Sequence, residues 1–261
     1  LLNPGDLAYT TLGQEAQRTL DFHQTVRAVD PSARLIATGA DPDHFNKWNA
    51  VQLGSPAGSF HYLSTHFGLG TASINAPHAD LEFIASAAFA LPVELGRKLQ
   101  DEQAQINQSP TFANKAHIAF TEWLFSGREP GAPSFSNMGG AIDAGGMLNM
   151  LMRNSSIVPG SDMTGIMEFA GIWKKRSQVY GTPSYYAFRM YSTAHATRPV
   201  SVATNAGSYS VRNGVSRLPN ISSVPYLDVV AARDNAGDKL VLFCVNLSLD
   251  TDIPTRIQID G

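Results

Sequence analysis

The amino-acid sequence predicts an α/β fold followed by an all-β segment. Up to residue 196, short apolar runs typical of strands alternate with amphipathic runs typical of helices. Such alternation favours a parallel sheet. From residue 197 onward, apolar and polar residues instead alternate with a period of two, which indicates antiparallel strands. We therefore expect two domains, at residues 1–196 and 197–261.

The α/β part contains four predicted strand–helix units, preceded by one helix. The predicted helices are recognised by apolar spacing of three to four residues, and the strands by short runs rich in β-branched and aromatic residues. In chain order the elements are a helix at 11–29, a strand at 33–39, a helix at 45–53, a strand at 62–67, a helix at 81–105, a strand at 117–123, a helix at 141–153, a strand at 164–169 and a helix beginning at Thr182.

Local signals define several helix boundaries. Thr11 and Gln14 have the spacing of a capping box at the start of the first helix. Pro92 is expected to kink the helix at 81–105, because proline cannot donate the helical hydrogen bond. Thr182 and Pro183 suit the N-cap and first position of the last helix.

The pattern alone leaves the closure of the sheet open. Four strand–helix units are too few to close a barrel of eight strands. Half of such a barrel and a small open sheet therefore both remain possible at this point. Beyond residue 197, "PVSVATN", "YLDVVAARD" and "KLVLFCVNLS" read as strands of a β-sandwich fragment, with a hairpin turn at 234–237 and a buried thiol at Cys244.

Composition excludes several functional classes. The net charge of −3 provides no electrostatic footprint for nucleic acid. No apolar run approaches the roughly 20 residues that span a bilayer, so no membrane partner is predicted. The chain begins at Leu1 without methionine and ends at Gly261 in a strand-like stretch; we expect both ends to be cut, and the compartment, cytoplasmic or secreted, stays open.

No motif for a cofactor or metal is present. The sequence lacks a Gly-x-Gly-x-x-Gly or Walker loop and a Gly-x-Ser-x-Gly elbow. His61 and His66 are five residues apart on one predicted strand, so their side chains lie on opposite faces and do not share a metal. We predict no cofactor and no metal.

Polar residues follow the predicted strands at their carboxyl ends, where parallel α/β proteins place their sites. They are Thr38, His66, Glu122 and Glu168. Taken singly, such a histidine is more often a hydrogen-bonded structural residue, and such a glutamate more often caps a helix or pairs with arginine. Their common position favours a functional site.

Several stretches resemble the α-L-arabinofuranosidases of glycoside hydrolase family 51. "AFTEWLFSG" resembles the strand that carries the family's nucleophile, where a Glu-Trp pair ends strand seven. The other matching stretches agree in order and cover nearly the whole chain: "AVDPSARLIATG", "YLSTHF", "AIDAGGMLNMLMRNSSIV", "GTPSYYAFRMYS" and "VPYLDVVAARDNAGDKLVLFCVNLSLD".

This resemblance implies the second half of a (β/α)8 TIM barrel followed by part of a jelly-roll-like β-sandwich. It implies a retaining glycosidase that releases α-L-arabinofuranosyl residues from hemicellulose or pectin without a cofactor. Glu122 would be the nucleophile. The residues expected to shape the substrate pocket are His66, Trp123, Glu168 and Trp173.

The sequence also departs from the family. A retaining enzyme needs a second carboxyl group, which the family supplies from an Asn-Glu pair ending strand four, and this chain has no such pair. We expect the chain to begin just after that pair and to be inactive by itself. Phe67 and Gly68 stand where many members carry a tyrosine. Glu168 is interpreted first as a substrate ligand, then as a charge acting on Glu122, and last as a substitute acid.

Two other functions stay open. A related glycosidase of the same clan would change the sugar, as in a β-xylosidase, a β-glucuronidase or an endo-glucanase. A non-catalytic carbohydrate-binding or structural protein would use the same strand-end residues to hold sugar or to pair internally. Arabinose-containing polysaccharide or oligosaccharide is the expected partner, and a homo-oligomer of the full-length protein is left open.

Overall fold

A computed structural model describes residues 11–70, 80–127, 130–165, 167, 170–214 and 217–259. The described residues form two compact units. Unit 1 takes its residues from Leu1–Gly68, Leu95–Trp123 and Asn154–Thr164, and unit 2 from Leu69–Glu94, Leu124–Arg153 and Gly165–Gly261. The predicted domain boundary between residues 196 and 197 stays a prediction.

The helices and strands follow one another in the predicted alternation through the first half of the chain. They are α1 Leu12–Val29, β1 Ile36–Ala37, α2 Phe45–Gln52, β2 Tyr62–Gly70, α3 Leu81–Gln108, β3 His117–Ser126, α4 Met138–Arg153, β4 Gly160–Met163, β5 Ile172–Lys175, β6 Gln178–Gly181, α5 Pro183–Thr193, β7 Ala196–Val200, β8 Ser208–Val211, β9 Ile221–Pro225, β10 Leu227–Asp234 and β11 Leu240–Asn246.

The predicted helix starts are confirmed by their hydrogen bonds. The Thr11 hydroxyl accepts from the Gln14 amide at 3.2 Å, and the Thr11 amide donates to Gln14 Oε1 at 2.8 Å, which completes the capping box of α1. Thr182 accepts from the Tyr185 amide at 3.2 Å and begins α5. Helix α3 continues through Pro92 to Gln108.

A parallel sheet is present, as predicted. Its strand order is β1-β2-β3-β4; β1 is parallel to β2, and β3 is parallel to β4. Fully buried side chains from the strands, from the second half of α3 and from the turn after it form the core of unit 1. They include Leu63, Leu95, Leu99, Ile106, Phe112, Ile118 and Phe120.

The fourth strand lies earlier in the chain than predicted. The sequence pattern predicts it at 164–169, whereas β4 covers Gly160–Met163. The chain turns immediately afterwards, because Gly165 has a φ of 65° and its carbonyl accepts from the Ala170 amide at 2.7 Å. Residues 166, 168 and 169 of the predicted strand lie outside the described residues.

Unit 2 contains the antiparallel strands. Strand β10 pairs with β11 and β7, β5 pairs with β6, and β8 pairs with β9. The predicted turn at 234–237 is confirmed, since the Gly237 amide donates to the Asp234 carbonyl at 3.2 Å and Gly237 has a φ of 85°. The prediction of a buried thiol is wrong: Cys244 is exposed, because Phe243 takes the buried face of β11 and the side chains alternate.

A polar connection joins α4, α5 and β10 within unit 2. The Arg153 guanidinium pairs with the Asp228 carboxylate, which also accepts from Asn149 Nδ2 at 3.0 Å. The Tyr191 hydroxyl donates to Asn149 Oδ1 at 2.7 Å, and its ring stacks on Phe243 with centroids 4.1 Å apart. Buried polar groups are thereby matched with partners.

Among the helices that the structure describes, none combines the length and the apolar character needed to cross a membrane.

Candidate active site

One face of the parallel sheet in unit 1 is more open to solvent than the other. On β2, Leu63, Thr65 and Phe67 are at most 2% exposed and Ser64 is 8% exposed, whereas Tyr62 and His66, which alternate with the first three, are partly exposed. Side chains alternate between the faces of a strand, so these two residues share the less buried side. We call the side of the sheet that carries Tyr62 and His66 the open face.

Strand β1 extends the open face. Ile36 pairs with Tyr62 and is 53% exposed, whereas the next residue, Ala37, is 2% exposed. Thr38 follows β1, and its carbonyl accepts from Trp48 Nε1 at 2.9 Å. Further along β2, Gly68 shares the open face with His66 and is exposed, so β2 itself places no side chain at this position beyond the histidine.

Glu122 lies on β3 at an irregularity in its pairing with β4. Phe120 pairs with Ser161 and Trp123 pairs with Met163, so two residues of β3, Thr121 and Glu122, oppose Asp162 alone. This arrangement is a β-bulge, a feature that redirects side chains and is frequent beside active sites. Beyond the bulge the ladder resumes, since the Thr164 amide donates to the Trp123 carbonyl at 3.0 Å.

The bulge separates the two members of the Glu-Trp pair. Phe120 and Trp123 are 0% and 2% exposed and lie on the buried face with Met163. Glu122 is exposed, and its side chain makes no hydrogen bond or ion pair with a residue that the structure describes. The carboxylate is therefore accessible, and the indole packs behind it.

Strands β2 and β3 bring His66 and Glu122 to neighbouring levels of the sheet. The His117 amide donates to the His61 carbonyl at 3.2 Å, and the Thr121 hydroxyl donates to the Thr65 carbonyl at 3.2 Å. In a parallel pair, an amide bonds the carbonyl that precedes its partner residue, so these bonds bring Thr121 beside His66, and Glu122 is the next residue along β3. Thr38, His66, Glu122 and Trp123 all belong to unit 1.

A buried polar network fixes the loop that follows β1. The Ala40 amide donates to Asn49 Oδ1 at 3.0 Å, and the Ala40 carbonyl accepts from the Thr65 hydroxyl at 2.9 Å. Asn49 Nδ2 in turn donates to Glu102 Oε1 at 2.9 Å. Burial raises the pKa of Glu102 to about 8, because a charge is poorly solvated there. Helices α2 and α3 thus hold this loop in place.

The other two predicted site residues belong to unit 2. Trp173 lies on β5, partly buried, with its ring stacked near Phe135 and Tyr180 at centroid distances of 6.2 and 6.5 Å. Glu168 lies outside the described residues. The roles of His66, Glu122, Trp123, Glu168 and Trp173 remain predictions.

Two further features bear on ligand chemistry. No group of His, Cys, Asp and Glu suited to a metal ion occurs among the described residues. Unit 2 has an open polar cavity of about 640 Å³, whose wall includes Tyr209 and Tyr226 with ring centroids 5.3 Å apart.

Sequence reasoning missed Asp162 and Glu102. Asp162 precedes the predicted fourth strand, so nothing associated it with the sheet. Glu102 lies in a polar stretch of its helix, where the sequence does not distinguish it from exposed residues, and its hydrogen-bond partner Asn49 is distant along the chain.

Comparisons with known proteins connect the fold to a group of enzymes. Neither protein-family models nor curated protein sequences match the chain. Among solved structures, an α-L-arabinofuranosidase from Thermotoga maritima in complex with arabinose matches 94% of this chain with a TM-score of 0.72 and 21% identity. A family 51 α-L-arabinofuranosidase from Bifidobacterium longum matches 95% with a TM-score of 0.76 and 14% identity.

A more distant match is a bifunctional glucanase-xylanase from a metagenome library, with a TM-score of 0.54 over 92% of this chain and 13% identity. The chain spans about half the length of these solved proteins, 49%, 53% and 49% respectively. At such identities the similarity establishes a common fold. The mixed α/β fold of this chain is thus similar to that of one part of the family 51 arabinofuranosidase structures.

Proposed function

We propose that this chain is the C-terminal portion of a retaining family 51 α-L-arabinofuranosidase that releases arabinofuranosyl residues from hemicellulose- or pectin-type glycans. The observation that carries the proposal is Glu122, an exposed carboxylate at a β-bulge on the open face. The fold similarity adds support, as does the arabinose bound in the Thermotoga maritima structure.

In the proposed architecture the parallel sheet is the second half of a (β/α)8 barrel, and residues 197–261 are part of a sandwich domain. The open face would then point into the barrel, where its polar side chains meet substrate at the carboxyl ends of the strands. This placement accounts for a sheet with one densely apolar face and one face carrying His66 and Glu122.

In the proposed mechanism the Glu122 carboxylate attacks the anomeric carbon, and the bond from that carbon to the leaving oxygen breaks. A second carboxyl group protonates the leaving oxygen and then takes a proton from the water that hydrolyses the glycosyl-enzyme. In this proposal the second group belongs to a part of the barrel outside this chain. His66 would hydrogen-bond the substrate or the carboxylate, and Trp123 would fix the strand behind Glu122.

Replacing the proposed nucleophile tests the function. In the complete protein we expect Glu122→Gln to lower kcat on 4-nitrophenyl α-L-arabinofuranoside by about 10³-fold or more, because an amide cannot form the glycosyl-enzyme. Circular dichroism and thermal unfolding should be unchanged, since the side chain is exposed.

The exposed Asp101 on α3 provides the matched control, and Asp101→Asn should retain parental turnover. Near-parental turnover by Glu122→Gln would exclude this residue as the nucleophile.

A related clan glycosidase is the second candidate, favoured by the fold similarity to the bifunctional glucanase-xylanase. A panel of chromogenic arabinofuranosides, xylosides, glucuronides and glucosides separates the two, because kcat/KM identifies the preferred sugar. Binding without hydrolysis of any of them would instead favour a carbohydrate-binding protein, for which the cavity beside Tyr209 and Tyr226 is the candidate surface.

A further inference from the structure

We propose that Asp162 is a second carboxylate of the candidate site and accepts hydrogen bonds from hydroxyl groups of the sugar bound over Glu122. This inference rests on the proposed function and adds a substrate-binding residue to it. It starts from the pairing of β3 with β4.

The register places Asp162 beside Glu122. Ser161 pairs with Phe120 and Met163 pairs with Trp123, so Asp162 is the β4 residue that faces the bulge containing Thr121 and Glu122. Neighbouring strands are about 4.8 Å apart. The two acidic residues therefore arise from adjacent backbone positions, although they are 40 positions apart in the sequence.

The same register places both side chains on the open face. Paired residues of parallel strands point to one side of the sheet, so Met163 shares the buried side with Trp123, and both are at most 6% exposed. Asp162 precedes Met163 and points to the opposite side. Asp162 is exposed, as Glu122 is.

The residues that the structure describes give Asp162 no structural role. Its side chain makes no hydrogen bond or ion pair with a residue within the described part of the chain, and it caps none of the helices α1, α2 and α5. Two like charges on one face repel each other, so the pair has no stabilising effect of its own. A polyhydroxylated ligand would supply hydroxyl donors to both carboxylates.

Its position decides which role Asp162 can take. In a retaining enzyme the acid/base and the nucleophile lie on opposite sides of the scissile bond, whereas Asp162 comes from the strand next to Glu122 and so approaches the sugar from the nucleophile's side. It is therefore suited to accept from a sugar hydroxyl and not to protonate the leaving group. Hydrogen bonds from sugar hydroxyls that strengthen in the transition state assist glycoside hydrolysis.

The test combines enzyme variants with substrates that each lack one hydroxyl. In the complete protein we expect Asp162→Ala to lower kcat/KM on 4-nitrophenyl α-L-arabinofuranoside by about 10- to 100-fold, the effect of losing a hydrogen bond to a charged acceptor. Asp162→Asn, which retains one acceptor oxygen, should lose less. With the monodeoxy substrate that lacks the bonded hydroxyl, parent and Asp162→Ala should agree within about twofold.

Asp101→Asn, an exposed aspartate on α3, is the matched control and should behave as the parent. The inference is overturned if Asp162→Ala matches the parent on the intact substrate, or if its loss is equal on every deoxy substrate, as a structural defect would produce. In either case the parent still hydrolyses the arabinofuranoside, so the proposed function stands.

A binding measurement covers the case in which the parent hydrolyses no arabinofuranoside. Arabino-oligosaccharide is titrated calorimetrically into Glu122→Gln and into the double variant Glu122→Gln/Asp162→Ala. If the double variant binds at least tenfold more weakly than Glu122→Gln, Asp162 is a sugar ligand even though the proposed hydrolysis fails. Equal affinity, or no binding by either protein, overturns the inference.

Discussion

Glu102, the buried carboxyl group of the network behind the candidate site, makes the stability of the protein depend on pH. Its pKa is raised to about 8 by burial, from an ordinary 4.5. Between these values the folded state holds a proton that the unfolded state releases, so the stability contributed by the neutral form is complete below pH 4.5 and is lost as the pH rises toward 8.

We therefore expect Glu102→Gln to stabilise the protein in a pH-dependent way. The amide cannot ionise and keeps the oxygen that accepts from Asn49. The difference in Tm between variant and parent should be near zero at pH 4.5 and reach several degrees in favour of the variant at pH 8. Scanning calorimetry at both pH values measures it, with Glu82→Gln as control; a difference that does not change with pH would contradict this account.

At the level of elements, Gly39 illustrates a close approach at the end of β1. A Cβ atom at this position would lie 2.1 Å from the Ser64 carbonyl oxygen, which belongs to the backbone of β2. The Gly39 amide also donates to the Ser64 hydroxyl at 3.1 Å. The absent side chain thus allows β1 and the loop after it to meet β2.

We expect Gly39→Ala to destabilise the protein by about 3 kcal/mol, because the backbone must move to relieve the contact. Gly13 provides the matched control: it lies in α1, and a methyl group added there would have no atom within 4 Å. Gly13→Ala should stabilise by about 0.5 to 1 kcal/mol. Urea unfolding of both variants measures the change in the free energy of unfolding. A loss below about 0.5 kcal/mol for Gly39→Ala would contradict this expectation and show that the strands separate easily.

The sequence predicts best those elements that depend on residues close together in the chain. The capping box at Thr11, the N-cap at Thr182 and the turn at Gly237 each depend on residues a few positions apart, and the sequence predicts all three. The position of β4 and the hairpin of β5 with β6 depend on which strands pair and in what register. The residue pattern of a single strand does not carry that information. The bulge at Glu122 likewise requires the register of two strands, so the open face could not be derived from the sequence.

At the scale of the whole molecule, unit 1 has exposed sheet edges and exposed apolar side chains. Within the described residues β1 and β4 are the sheet's outer strands, and exposed edges invite pairing with other chains. Apolar residues such as Ile36 and Phe22 are 53% and 67% exposed.

We accordingly expect the 261-residue chain alone not to be a stable monomer. Light scattering coupled to size exclusion should detect self-association, and calorimetry should give a broad transition at low temperature. A monodisperse monomer with one sharp, cooperative unfolding transition would refute this expectation.

The bulge in β3 also has a consequence for how this strand tolerates change in length. Removing one residue from a regular strand would exchange the inward and outward positions of all that follows. At Thr121 and Glu122, however, β3 has one residue more than β4. Losing Thr121 would leave an even ladder with β4 and Trp123 still facing the core, so β3 can lose one residue here without exchanging the faces of the residues that follow.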